Sequence, residues 1–168
     1  LALLAACGPL RSSPRLPNGQ VPPDASPPGI VSVRLVDFGT YRSRDLGRGA
    51  QPDTLNGSGP VSDDLGLERP GALVHARLGT SMGFRYVAEG TPAGAELPVR
   101  VVARHPPMTL EGRTLSESSW TDVVRIGRSN RAGWRFEAPH ELVPGEWTLE
   151  VWQGPRLLVR QGFQVEAE

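Results

Sequence analysis

Hydrophobic and polar residues alternate most regularly near the end of the chain, in residues 144–152 and 157–165. The apolar positions that share one parity in each run are Trp147, Leu149, Val151, Val159, Phe163 and Val165. A period of two predicts half-buried strands, and Gly154 and Pro155 between the runs favour a tight reversal of the chain. We therefore predict a β-hairpin here.

A single hairpin is marginally stable in water, so its large apolar side chains must cover a core that the rest of the chain provides. We expect Trp147 and Phe163 to face that core. Leu158 is out of phase with its neighbours, and we expect a β-bulge near Gly162 to correct the register.

Six further segments show the same alternation and are bounded by glycine, proline or polar clusters. They cover residues 30–38, 72–78, 82–88, 97–103, 120–126 and 133–138. A helical period is not maintained anywhere for more than a turn. The pattern predicts an all-β fold, an antiparallel sandwich or barrel of about eight strands, and we prefer the sandwich.

Two segments interrupt the alternation. Residues 42–68 are rich in Gly, Asp, Ser and Arg and carry almost no periodic apolar residue. Such a stretch predicts a long loop, either disordered or functional, and we favour disorder. Residues 105–119, which begin His105-Pro106-Pro107, predict a second loop.

Composition supports one domain, which we place at residues 30–166. The 168 residues include 20 glycines and 17 prolines, which disfavours long helices and suits short strands with many turns. The formal net charge is zero, so no overall positive field favours nucleic acid as a partner. All cations are arginine, which we attribute to coding bias rather than to selection for anion binding.

The first residues suggest an anchor. Residues 1–6 are apolar and lead directly into Cys7 and Gly8, with leucine three positions before the cysteine and alanine between them. This pattern resembles a bacterial lipoprotein signal ending in its lipobox, here without its start. The resemblance implies that residues 1–6 are a truncated signal peptide and that Cys7 carries the lipid. A free cysteine in an apolar terminus is the alternative.

The segment after the cysteine is expected to be a tether. Residues 8–29 contain seven prolines and no apolar periodicity, so residues 7–29 predict a disordered, polyproline-like linker. By resemblance to lipoprotein sorting rules, Gly8 implies the outer membrane. We expect the domain to lie in the bacterial cell envelope, on the periplasmic face of that membrane, with the lipid on Cys7 as its membrane contact.

Several landmarks carry a family resemblance. Pro144-Gly145-x-Trp147 before an alternating strand resembles the penultimate strand of immunoglobulin-like domains, here without paired cysteines. Phe38-Gly39-x-Tyr41, Gly79-Thr80-x-x-Gly83-Phe84, His105-Pro106 and Phe163-x-Val165 add to it. Together they resemble a small bacterial family known only as a domain of unknown function, which implies a fold and no catalytic residues.

Candidate chemistry is sparse. Gly79-Thr80-Ser81-Met82-Gly83 fits Gly-x-Ser-x-Gly, and Asp122 and His140 follow in the order of α/β-hydrolase triads. However, the residues after Ser81 alternate as a strand, whereas a nucleophile elbow needs a helix. The histidines at 75, 105 and 140 show no metal-ligand spacing, and no nucleotide-binding loop occurs, so neither a metal nor a cofactor is expected.

Arginines cluster around the turn at residues 127–133, where Arg128 and Arg131 are candidates for anion binding. A solvated loop is the plainer interpretation. We conclude that the sequence predicts a lipid-anchored immunoglobulin-like β-sandwich that binds or scaffolds and is not an enzyme. Its expected partner is an envelope protein or an anionic polymer, and a serine hydrolase using Ser81 is the alternative.

Overall fold

The computed structural model describes residues 29–168, which form nine strands and one short 3₁₀ turn. The strands are β1 (Gly29–Ala50), β2 (Ser58–Pro70), β3 (Leu73–Ala76), β4 (Ser81–Thr91), β5 (Glu96–Leu110), β6 (Arg113–Arg125), β7 (Ser129–Arg135), β8 (Gly145–Gln153) and β9 (Arg156–Ala167). The 3₁₀ turn spans Pro139–Glu141, between β7 and β8. The all-β prediction is confirmed, with one strand more than expected.

The strands build two sheets packed face to face. One sheet has the order β2-β1-β4-β7 and the other the order β3-β9-β8-β5-β6. Neighbouring strands are antiparallel except for β3, which pairs with β9 in parallel. The predicted antiparallel sandwich is therefore present, and β6 and β7 lie at the edges of their sheets.

The core lies between the sheets because every second residue of each central strand points inward. In β4 these are Met82, Phe84, Tyr86 and Ala88, all at most 2% exposed. The opposite sheet contributes β8 residues in the same alternation. Removing so much apolar surface from water is the main stabilising contribution, at about 25 cal/mol per Å².

The terminal hairpin is formed as predicted, by β8 and β9. Gly154 has φ of 54° in the turn, a conformation that glycine adopts without a steric penalty. The bulge, however, is not near Gly162, which pairs regularly with Thr148. The register changes between Val151 and Trp152, so that Leu158 itself is the extra residue. A bulge beside the turn corrects the parity earlier than we expected.

The predicted loop at residues 42–68 is wrong. β1 continues to Ala50 and pairs with β2, so that only residues 51–57 form the turn. The register shifts three times along this pair, and each shift moves side chains to the other face of the sheet. Gly47 and Gly66 have positive φ, and their N–H groups bond to the side chains of Asp45 and Asp64. The shifts erased the periodicity that would have revealed a hairpin.

The predicted loop at residues 105–119 is also wrong. β5 and β6 form a long hairpin whose turn is at Glu111 and Gly112, both with positive φ. Pairing is interrupted only between Arg104 and Met108. Pro106 and Pro107 lie in that gap, where their missing N–H groups are tolerated.

The expected signal peptide, Cys7 and most of the tether at residues 7–29 lie outside the described residues. Within residues 29–168, no helix is long and apolar enough to cross a membrane.

The paired positions of Trp147 and Phe163 generate a stability prediction. They lie opposite each other on β8 and β9 and are 1% and 3% exposed. Trp147→Ala or Phe163→Ala should lower the free energy of unfolding by about 3 to 5 kcal/mol, because each leaves a cavity in the core. Urea denaturation measures the loss, and Val123→Ala is the control, since Val123 is 54% exposed. A loss below about 1 kcal/mol in the core variants would contradict the packing.

Candidate functional site

The turn between β1 and β2 closes one side of the sandwich. We call residues 51–57 the hairpin tip. Its Asp53 carbonyl accepts a hydrogen bond from the Ser119 N–H on edge strand β6, at 3.2 Å. Thr54 and Leu55 are 4% and 8% exposed, and Leu55 packs with the core cluster. The tip therefore contacts the sandwich where the two sheets end.

Local hydrogen bonds give the tip a defined shape. Gln51 N–H donates to Gly57 O at 3.0 Å, and Thr54 N–H and Oγ1 both donate to Gln51 O, at 3.1 and 2.8 Å. Gly59 allows the Gln51 side chain to lie against the backbone, because a Cβ there would be 2.0 Å from Gln51 Oε1. The tip is thus built by its own polar groups.

Two polar contacts hold the hairpin to the segment after β7. Asn56 Nδ2 donates to Glu141 Oε1 at 2.8 Å, and Arg48 pairs with Glu137 at 2.5 Å. Glu141 Oε2 accepts the N–H groups of Glu137 and Ala138, at 2.6 and 3.3 Å. Burial raises the pKa of the Glu141 carboxyl, while the two backbone N–H groups oppose the rise. Glu141 thereby links the hairpin tip to the 3₁₀ turn.

A cavity of about 80 Å³ lies between the hairpin tip and the sandwich. We call it the edge cavity. It is lined by Gln51, Thr54, Leu55, Asn56, Ser58, Gly59, Pro60, Met108, Trp120, Gly133, Trp134, Arg135, Glu137, His140 and Glu141. Its lining thus combines apolar and aromatic side chains with polar ones, a combination typical of small-ligand sites.

Two side-chain nitrogens of residues that line the edge cavity are buried and lack a hydrogen-bond partner among residues 29–168. They are Trp134 Nε1, a donor, and His140 Nε2, whose role depends on the tautomer. We call them the cavity nitrogens. Leaving a buried polar group without a partner costs about 1 to 3 kcal/mol, so such atoms call for an explanation. Trp134 is only 9% exposed.

An aromatic cluster connects the edge cavity with the core. The Trp134 ring lies 6.0 Å from Trp120 and 5.5 Å from Trp147. His105 lies 5.0 Å from Trp147, and its ring nitrogens contact Pro106 O at 2.9 Å and Ser118 Oγ at 3.1 Å. Burial lowers the pKa of His105, which therefore favours the neutral ring. The orientation of Trp134 is set by these neighbours.

The structure separates Arg128 and Arg131. Arg128 is exposed in the turn between β6 and β7. Arg131 lies in β7, with its guanidinium 4.7 Å from the centre of the Tyr41 ring and NH2 donating to Ser81 Oγ at 2.6 Å. Burial lowers the pKa of Arg131. The two arginines therefore do not form a shared basic tip.

The partner of Arg131 belongs to a polar cluster on the outer face of its sheet. Tyr41 is 3% exposed and donates its hydroxyl hydrogen to Asp37 Oδ1 at 2.5 Å. Arg85 pairs with the same carboxylate and lies 5.8 Å from the Tyr41 ring. The Arg85 guanidinium holds the pKa of Asp37 below its usual range. These contacts hold Arg131 within the fold, and its buried Nε has no hydrogen-bond partner among residues 29–168.

The hydrolase alternative lacks the geometry that it needs. Ser81 is the first residue of β4, and a strand rather than a helix follows it. Its hydroxyl accepts from Arg131, whereas Asp122 Oδ1 accepts the N–H of Val123 at 2.7 Å. His140 Nε2 has no partner within the described chain. The three residues thus form no hydrogen-bonded triad there, and the nucleophile elbow is not formed.

Within residues 29–168, no group of three or more His, Cys, Asp or Glu side chains is arranged so that it could hold a metal ion.

Comparison with known proteins gives the family. A family described as "Domain of unknown function (DUF3859)" matches residues 33–165. The chain belongs to that family. The expected membership in a family of unknown function is therefore confirmed. No curated protein matches the sequence.

A solved structure confirms the fold. The crystal structure of an immunoglobulin-like protein from Pseudomonas aeruginosa is 25% identical, with a TM-score of 0.58, over 81% of this chain and 98% of that one. The immunoglobulin-like prediction is therefore correct. The Pseudomonas fluorescens alkylpurine DNA glycosylase AlkC, bound to DNA containing an abasic site analogue, is similar at a TM-score of 0.33 and 15% identity. That match covers 57% of this chain and 28% of AlkC, and carries no argument.

Sequence reasoning did not find the edge cavity. The alternation predicts a strand at Trp134, but the tip residues beside it in the cavity fall within 42–68, where the sequence predicts a loop. One signal was present: Asn56-Gly57 is a turn-forming pair and could have placed a hairpin there.

The cavity nitrogen of Trp134 generates a prediction. Trp134→Phe removes an N–H that no described residue accepts, so the variant should lose about 1 kcal/mol or less of unfolding free energy. Trp147→Phe is the comparison, since Trp147 Nε1 donates to Val143 O at 3.0 Å. It should lose about 1 kcal/mol more than Trp134→Phe. Denaturant titration of both variants tests the order, and the reverse order would contradict it.

His105 generates a pH prediction. Its pKa is lowered in the folded state, so between that value and about 6.5 the unfolded state binds more protons. The free energy of unfolding should therefore fall as pH falls through about 6.5, by at most about 1.4 kcal/mol per pH unit. Urea titrations at several pH values measure the slope. The His105→Gln variant should show a smaller pH dependence of the unfolding free energy. The His75→Gln variant, altered at an exposed site, should show the same pH dependence as wild type. An unchanged slope in His105→Gln would contradict the role assigned to His105.

Proposed function

We propose that the protein is a lipid-anchored, non-catalytic binding module of the bacterial envelope, and that its ligand site is the edge cavity. One observation carries the proposal: a cavity of about 80 Å³ beside the hairpin tip is lined by apolar, aromatic and polar side chains together.

The polar residues that line the edge cavity favour a role in ligand binding. Most of the polar residues that line it already have partners: Asn56 bonds to Glu141, Thr54 to Gln51, and Glu137 to Arg48. These bonds hold the site in shape without a ligand. Pre-organised polar groups lose little conformational freedom on binding, which favours affinity.

The anchor is proposed from the sequence. Residues 1–6 and Cys7 resemble a lipoprotein signal, and the proline-rich segment after them suits a tether that holds a domain away from a membrane. A module on a tether is suited to contacting other envelope components. We place it on the periplasmic face of the outer membrane.

The anchor is tested by substitution of the cysteine. Cys7→Ser should release the protein into the soluble fraction when expressed behind a complete signal peptide, because the thioether-linked lipid cannot form. Membrane fractionation and intact-mass measurement report the change. A wild-type protein of unlipidated mass that fractionates like the variant would refute the proposal.

The structure changes our expectation for the anionic ligand. Arg131→Glu would break its contacts with Tyr41 and Ser81, so the double charge reversal at positions 128 and 131 would lower stability as well as any affinity. Exposed Arg128 alone is a weak anchor, because an isolated surface charge is screened by salt. The edge cavity is therefore the better candidate site.

The ligand site is tested with the full chain carrying Cys7→Ser, so that lipid does not contribute. Purified cell-wall sacculi and lipopolysaccharide are the two probes, in sedimentation assays. We expect retention of wild type and reduced retention of Trp134→Phe combined with His140→Phe. Trp152→Phe is the matched control, since its indole N–H is used by Glu150 at 2.8 Å, outside the cavity.

The salt dependence of binding distinguishes the edge cavity from exposed Arg128 as the ligand site. Binding in the edge cavity should change little between about 0.05 and 0.5 M salt, whereas binding through exposed arginine should weaken strongly. Strong salt dependence with an unaffected Trp134 variant would overturn the cavity and return the contact to Arg128. Loss of retention in the Trp152 control would show a general folding effect and would likewise count against the site.

A further inference from the structure

We propose that the end of the sandwich where Gly29 lies is a docking surface for an anionic phospholipid bilayer, and that the opposite end, with the edge cavity, points away from the membrane. The inference rests on the lipid anchor of the proposed function and adds the orientation of the domain. It is drawn from the loops that share each end, from their charges and from the place where the segment after Cys7 joins the domain.

Strand directions bring four segments together at one end of the sandwich. β5, β7 and β9 run away from this end, and β4, β6 and β8 run towards it. The turn before β5 bonds to the turn before β7, since Gly94 N–H donates to Ile126 O at 2.9 Å. Arg156 Nη1 joins the two sheets by donating to Ile30 O at 2.8 Å. We call this the anchor end, and it comprises residues 29–34, 87–96, 125–130 and 153–156.

The anchor end carries an excess of positive charge. Its charged side chains belong to four arginines and two glutamates, all exposed: Arg34, Arg125, Arg128, Arg156, Glu89 and Glu96. Arg125 pairs with Glu96. The other three arginines form no salt bridge within residues 29–168. Arg156 donates to the backbone carbonyls of Ile30 and Val31, which orient its guanidinium but leave its charge without a carboxylate.

The opposite end is acidic. It comprises residues 68–81, 108–115, 135–146 and 164–168. Its seven glutamates are Glu68, Glu111, Glu137, Glu141, Glu146, Glu166 and Glu168, and its four arginines are Arg69, Arg77, Arg113 and Arg135. The β1–β2 hairpin beside it adds one charge of each sign, on Arg48 and Asp53. The edge cavity lies at this end, because Glu137 and Glu141 line it.

The zero net charge of the sequence therefore conceals a difference in charge between the two ends. The surface of a leaflet with anionic lipids attracts cationic side chains and repels carboxylates over about a Debye length. A domain with this charge distribution would be turned with its anchor end towards such a leaflet. The same orientation would present the edge cavity to the space beyond the membrane.

A bilayer is favoured as the partner because of the place where the chain enters the domain. Gly29 pairs with Thr91 at the anchor end, and residues 8–28 separate it from Cys7 in the sequence. A lipid on Cys7 would therefore bring this end closest to the headgroups, where a tether raises the local concentration of a weak contact. Val31, at the same end, is 76% exposed and offers an apolar side chain to the surface of the bilayer.

The docking surface is tested with the full chain carrying Cys7→Ser, so that no lipid on the protein contributes. Nanodiscs of phosphatidylcholine, with or without phosphatidylglycerol, are the probes, and backbone amide NMR reports the contact. Amides of the anchor end should shift or broaden when phosphatidylglycerol is present, and those of residues 108–115 should not. Binding should weaken strongly between about 0.05 and 0.5 M salt. Contact centred on the opposite end, or equal contact with both kinds of nanodisc, would overturn the proposal.

Charge-neutral variants assign the contact to individual arginines. Arg34→Gln and Arg128→Gln should each lower the affinity for phosphatidylglycerol nanodiscs about fivefold, the contribution of one arginine near an anionic surface. Arg113→Gln is the matched control, since Arg113 is exposed at the opposite end, and should leave the affinity unchanged. Thermal unfolding should be the same for all three variants, because exposed charges contribute little to stability. Unchanged affinity in both anchor-end variants would contradict the docking surface.

The orientation is tested by attaching the protein through Cys7, the one cysteine of the chain. Coupling this thiol to a maleimide lipid places the attachment where the native lipid is proposed. A gadolinium-chelating lipid in the same membrane should then broaden amide signals of the anchor end more than those of residues 135–146. Equal broadening at both ends would show that the tethered domain has no preferred orientation and would refute the proposal.

These outcomes are distinguishable from those of the proposed function. Wild-type protein that carries no lipid in cells, but binds phosphatidylglycerol nanodiscs through its anchor end, would refute the lipid anchor and support the docking surface. Lipidated protein whose anchor end does not respond to phosphatidylglycerol would support the lipid anchor and refute the docking surface. The Trp134 and His140 variants test the edge cavity separately, since both residues lie outside the anchor end.

Discussion

The burial of Trp147 is the interaction on which most of this structure depends. Its ring lies between the sheets, where it contacts His105, Trp134 and Phe136 at centroid distances of 5.0 to 5.5 Å. Its indole N–H is used by the Val143 carbonyl, so the ring is buried without a polar cost. Because Trp134 packs against it, the core also determines how the edge cavity is lined. The core and the lining of the edge cavity thus share one aromatic cluster.

The sequence was sufficient where packing alone decides the structure. The alternation of apolar residues is clear in β4 and β8, since one face of each strand is buried between the sheets, and the fold class follows from it. The alternation failed in β2, where Asp64 accepts the N–H of Gly66 beside a register shift and pairing rests on the backbone. A strand whose side chains lie mostly in solvent leaves little trace in hydrophobic periodicity.

The site was less predictable than the fold for a physical reason. The edge cavity combines residues from the hairpin tip, β6, β7 and the 3₁₀ turn, which are far apart along the chain. The sequence alone does not distinguish Trp134 from Trp147. In the structure, the Trp147 indole N–H donates to a carbonyl, whereas the Trp134 indole N–H has no partner within residues 29–168. The contact of Arg131 with Tyr41 was not predicted, because the first strand was expected to end at Phe38, before Tyr41.

The two pairings of strand β1 determine how the domain would bear a mechanical load. Its first part pairs with β4 from Gly29 to Tyr41, and its second part pairs with β2 from Gly39 to Ala50. The segment that leads towards Cys7 joins β1 at one end, and the hairpin tip follows it at the other. If Cys7 carries a lipid and the tip holds a ligand, as proposed above, a pull between them would act along this strand and load its hydrogen bonds together, in shear. Under such tension the unfolding rate, rather than the equilibrium stability, would determine how long the domain stays folded.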